Sequence, residues 1–253
     1  MIAPTDHVGP VGPSPPGDLL TGLLIARRAA MESLRDRSTA LLGAFFSLVL
    51  PVVLVVTSIR PGAAGHDVAG VVLTGYLLLV GLLPTSAAVG SAAGQFAGEI
   101  EQGNLTPLLA SPASNTAIFG GKVLGAVGPA LLFALVAEVS FVGSLALLVP
   151  GSVGRLPLGL TLVMLGLVPG VALFAATLAS LISSRVRTYN AAQQLAGFAL
   201  LPVWALVGGA SFVARDWGTW VLAAVLSGVV AIDAALVLLA AATWRREEVL
   251  ARR

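Results

Sequence analysis

The chain has 253 residues, 57% of them hydrophobic and only 10% charged, with a formal net charge of +2 and no cysteine. A soluble domain carries about a quarter charged residues, so a water-solvated fold is excluded and the apolar surface must face lipid. The missing cysteines exclude a disulfide framework and a thiolate metal site.

The length admits six spans of about 20 residues with short connections. Residues 1–17 contain Pro4, Pro10, Pro13, Pro15 and Pro16 and predict a disordered tail. This tail lacks the charged start and apolar middle of a signal peptide, so the first apolar segment is expected to stay in the chain. Residues 18–38 follow, with Leu19, Leu20, Leu23 and Leu24 at helical spacing ahead of Arg27, Arg28, Arg35 and Arg37. With Glu32 and Asp36 interleaved they are too charged to span, and predict an amphipathic helix along the membrane surface.

The first span is expected at 39–59, kinked at Pro51, and the second at 68–93. Gly90, Gly94 and Gly98 recur every four residues at the end of the second, a spacing that lets helices approach closely. Later spans are expected at 123–149, 158–182 with Pro169 and a Gly166/Gly170 pair, 191–213 broken by Pro202, and 220–243. Arg215-Asp216-Trp217 reads as a loop, and 244–253 as a basic tail. Trp217 and Trp220 at one end of the last span, with Trp244 at the other, suit interfacial anchors. If the N-terminus is cytoplasmic, eleven Lys and Arg fall on that side and only Arg60, Arg155 and Arg215 on the other. That bias puts both termini in the cytoplasm.

Between the second and third spans, residues 95–122 form the longest interruption with polar residues. Gly103-Asn104 signals a turn, Pro107 follows Thr106 at a first helical position, and Pro112 stops the helix. Leu108 and Leu109 give this short helix an apolar face for a protein partner. Ser114 to Thr116 are placed to cap a second helix through Ile118 and Phe119.

Glu99, Glu101, Gly103, Leu105, Leu108, Leu109 and Pro112 match a pattern that resembles the segment after the second span in permease subunits of type-2 ABC exporters. Asn104 and Thr106 stand where that family usually has Thr and Glu. The resemblance implies an all-α integral membrane fold of six spans, with an N-terminal interface helix and a short cytoplasmic coupling helix between spans two and three. It also implies two ATPase subunits, which would bind ATP and magnesium, and a second permease copy or paralogue. Glu99, Glu101, Gly103, Leu105, Pro107, Leu108, Leu109 and Pro112 would then dock on the ATPase.

Two acids, Glu138 and Asp233, fall near the middle of the third and sixth spans. A charge at the bilayer centre costs about 2.5–3.5 kcal/mol on insertion scales, so each faces protein or water. Lining a translocation path and locking helices together are both open readings. The cluster Tyr189, Asn190, Gln193 and Gln194 opens the fifth span, as a partner contact or as ordinary interfacial capping.

Catalytic readings fail on residues. Gly121-Lys122 invites a phosphate loop, but Thr116 and Val123 stand where that motif needs Gly and Ser or Thr. No zinc-protease motif and no nucleophile elbow occurs. The expectation is a non-enzymatic membrane subunit without a cofactor of its own, in the cell membrane, in contact with lipid and not nucleic acid. It would export a hydrophobic or amphipathic cargo. The rivals are a gradient-driven transporter using Glu138 or Asp233, and a non-transporting membrane scaffold.

Overall fold

The computed structural model describes residues 17–59, 70–102, 113–186, 188–217 and 220–243. Among these the chain is helical, without a strand. Helix α1 (Asp18–Arg35) precedes six helices long and apolar enough to cross a membrane. These are α2 (Arg37–Ser58), α3 (Val72–Glu101), α4 (Asn115–Leu148), α5 (Leu158–Ser183), α6 (Tyr189–Trp217) and α7 (Trp220–Thr243).

Burial orders the bundle. In α3 and α5, 61% and 50% of the most apolar stretch is buried, against 17–28% in the other four. Two helices therefore form the centre, and the rest present leucine, valine and phenylalanine outward, as lipid-facing helices do. Phe141, Leu73, Leu77 and Val55 make one buried cluster where α2, α3 and α4 meet. A second, with Leu78, Met164, Leu167 and Leu222, joins α3 and α5 to α7.

Helix α1 ends at Asp36, whose side chain accepts from Thr39 N–H and caps α2. It runs alongside the first third of α4. A Cβ on Gly121 would lie 2.6 Å from Gly22 O, and one on Gly125 would lie 2.5 Å from Ala29 Cβ and 2.9 Å from Ala26 O. Only glycine permits backbones that close. Further along, Ser47 Oγ of α2 donates to Phe133 O of α4 at 2.7 Å.

Several boundaries differ from the sequence expectation. Helix α3 continues through Glu101, eight residues past the expected end of the second span at 93. Helix α4 begins at Asn115, capped by Ser114, whose Oγ accepts from Ala117 N–H at 3.1 Å. The cap and a helix through Ile118 and Phe119 were expected; that this helix runs unbroken into the span from 123 was not. Pro202 does not break α6, and residues 215–217 are helical. A helix in apolar surroundings keeps its remaining backbone bonds because no water replaces them. Pro51 follows a wide turn over Phe45–Val49 that accommodates the missing N–H,. The sixth span, Trp220–Thr243, falls where expected. The expected tail, the 60–67 loop, the short helix around Leu108 and the basic C-terminus lie outside the described residues.

Candidate functional site

The last two turns of α3 gather three other helices. Residues Gly94–Gly98 form a wide π-type turn, a local widening that leaves an ordinary helical hydrogen bond unmade. Ser183, at the end of α5, fills the break. Its hydroxyl donates to Ala93 O and accepts from Ala97 N–H, both at 2.8 Å. In a regular helix those two backbone groups would bond each other.

The same turn presents Gln95 O outward to α4. Lys122, only 2% exposed, donates to that carbonyl and to Glu99 Oε2 at 2.5 Å. Its ammonium sits 4.7 Å from the centroid of the Phe96 ring, and Phe96 packs on Phe119 of α4 at 5.6 Å between centroids. A buried ammonium is tolerated only with such compensation. The lone basic residue of the interrupting segment is thus the pin between α3 and α4.

Glu101 turns the other way. Its Oε2 accepts from the backbone N–H of Tyr189, the first residue of α6, at 3.0 Å. A carboxylate at a helix N-terminus satisfies an otherwise orphaned donor and complements the helix dipole. The Tyr189 ring then lies along the Gly90, Gly94 and Gly98 stripe, 3.6–4.0 Å from where their Cβ atoms would be. The expected helix contact at this stripe is therefore made, by an aromatic ring from the polar cluster at the start of α6.

A polar cleft of about 650 Å³ opens beside this junction, between α1, the start of α2, the end of α3 and Tyr189. Glu32, Asp36, Glu99 and Glu101 line it, and no lysine or arginine does among the described residues. Hydrogen bonds from Ser38 Oγ, then from Thr39, hold the Asp36 carboxyl below its ordinary value.

The two mid-span acids are not part of this junction. Glu138 of α4 is half-buried, with its carboxylate against the backbone of α3 at Gly81. Asp233 of α7 is 4% exposed, and its Oδ1 has no hydrogen-bond partner among the described residues. Among the sequence-predicted site residues, Glu99 and Glu101 meet at one end of the bundle. Gly103, Leu105, Pro107, Leu108, Leu109 and Pro112 lie outside the described residues.

Sequence reasoning missed Ser183 and Gln95. A serine at the end of an apolar run looks like an interfacial residue, and no spacing rule marks where a helix will widen. No metal-binding cluster of histidine and acidic residues occurs among the described residues. The chain matches no family model, and a search of curated proteins finds no match.

Proposed function

We propose that this chain is the membrane subunit of an ATP-driven exporter of the type-2 ABC class, moving a hydrophobic or amphipathic cargo with energy from a separate ATPase. One observation carries the reading: Glu99 and Glu101, which match that family's pattern, tie the end of α3 to α4 and α6. The segment that follows them would dock on the ATPase and transmit its closure to three spans at once, a rigid-body mode of coupling.

Two features support this. The excess of Lys and Arg puts α1, the 102–114 connection and the start of α6 on the cytoplasmic side,. Helix α1 leaves Leu19, Leu20, Leu23 and Leu24 exposed beside Arg27 and Arg28, the composition of a helix lying in a membrane interface. Two copies, or one copy and a paralogue, would pair with two ATPase subunits.

The test is affinity co-purification of the intact chain and of a Leu108→Asp, Leu109→Asp variant, with ATP turnover measured in each. An ATPase that accompanies the first and is lost from the second is the expected result. No ATPase with either would overturn the reading.

Asp233 favours a second reading. A buried carboxyl with an unpartnered Oδ1 on a membrane-crossing helix suits a proton or cation coupled to gradient-driven transport. Transport that persists in ATP-free vesicles and collapses in Asp233→Asn would establish that alternative.

A further inference from the structure

The cleft beside the α3 junction has a charge balance that the proposed coupling role does not use. Glu32 is offset by Arg28, with Nε to Oε1 at 2.8 Å, and Glu99 by Lys122. Among the described residues, Asp36 and Glu101 are held only by uncharged donors, the Ser38 and Thr39 groups and Tyr189 N–H. Among the described residues the cleft therefore keeps two uncompensated negative charges. Each of these bonds engages one oxygen of its carboxylate.

A second observation points the same way. Gln95 lines the cleft, is nine-tenths buried, and its Oε1 has no hydrogen-bond partner among the described residues. Ser33 Oγ, on α1 across the cleft, is also buried without one among them. A buried polar atom left unpaired is costly, about 1–3 kcal/mol, and its place on a cleft wall marks where a ligand group would satisfy it.

The volume falls within the range of small-molecule sites. One to two turns further along α3 and α6, a hollow of about 300 Å³ is lined by Val89, Leu200, Leu201 and Trp204. Anionic cleft and apolar hollow share the same two helices.

We infer that the cleft bounded by Glu32, Asp36, Gln95, Glu99 and Glu101 binds the charged head of an amphipathic organic cation, whose apolar body follows α3 and α6. Its role as a cargo site rests on the exporter reading; the binding itself does not. Uncompensated carboxylates attract the head from water, and the hollow takes the part that water rejects. An anion of the same shape would meet two like charges.

The intact chain in zwitterionic nanodiscs is dialysed against tetraphenylphosphonium and, separately, tetraphenylborate. These probes match in shape and oppose in charge. Saturable binding of the cation, exceeding that of the anion over empty nanodiscs, is expected. In Asp36→Asn, Glu101→Gln the acceptors that cap α2 and α6 survive while both charges go, and cation affinity should fall at least about tenfold. Should that pair fail to purify, either single substitution gives a smaller loss in the same direction.

Equal binding of the two probes, or undiminished cation binding in these variants, overturns the inference. So does a loss confined to Glu138→Gln or Asp233→Asn. Cation binding without any co-purifying ATPase would leave the site standing and remove the exporter reading.

Discussion

Ser183 and Ala97 share a hydrogen bond that ordinarily belongs inside one helix. The Ser183 hydroxyl accepts from the Ala97 N–H at 2.8 Å and donates to Ala93 O, so α5 completes the backbone of α3. Removing that hydroxyl leaves two buried backbone groups unpaired or forces the wide turn to close. Ser183→Ala should destabilise by about 1–3 kcal/mol, read as an earlier thermal unfolding midpoint in nanodiscs. An unchanged midpoint would mean the wide turn does not need α5.

The Lys122–Glu99 pair predicts an asymmetry. Lys122 is 2% exposed and the Glu99 side chain 28%, so the two groups do not suffer equally when left alone. Glu99→Ala strands a buried ammonium and should cost about 3 kcal/mol, whereas Lys122→Met leaves a carboxylate that water can reach and should cost about half that. The double variant should be more stable than Glu99→Ala alone. Equal single effects, measured by unfolding, would contradict the burial difference.

Asp36 predicts a pH effect. Its folded carboxyl lies below the ordinary 3.8, so its contribution is present above that value and is lost as pH falls through the folded value. Asp36→Ala should lose about 1 kcal/mol at neutral pH, and Asp36→Asn much less. The gap between wild type and Asp36→Ala should narrow below pH 3.8. A constant gap across that window would assign the loss to something other than the charged cap.

The α1–α4 seam predicts a change in protection. Valine at Gly125 would push Ala26 and Ala29 away, an overpacking cost of about 1–3 kcal/mol. Trypsin should then cleave after Arg27 and Arg28 faster than in wild type. Identical cleavage rates would show that α1 is held by other contacts.

Much of the architecture was readable because hydrophobic length alone specifies a membrane-crossing helix. The sixth span illustrates it: even with Asp233 near its middle, its apolar length sets where it runs. Ser114 was readable as a cap because its chemistry is local. The ends of α3 and α4 were misjudged for the opposite reason: Gln95, Glu99 and Lys122 look like a solvated interruption until each finds its partner across helices. The same holds for Glu101, whose partner Tyr189 stands 88 residues later. Polar residues at helix ends carry no periodicity, so their pairing is written only in three dimensions. The glycine stripe lay between these cases. Its spacing announced a close contact, while the ring that occupies it came from a cluster with an ordinary capping interpretation.

Helix α4 spans 34 residues, about 51 Å at helical rise, against a hydrocarbon layer of about 30 Å. The part from Pro129 to Leu148 alone is about 30 Å long. What remains, from Asn115 to Gly128, is the part that α1 sheathes through Gly121 and Gly125. The pair is therefore a two-stranded arm, with α1 giving way to α2 at Asp36 while α4 runs on through Pro129 as one helix. Lys122, midway along the arm, clamps it to the widened turn of α3. In the exporter reading proposed above, a push at the arm's free end would act on that clamp as a crank acts on a shaft.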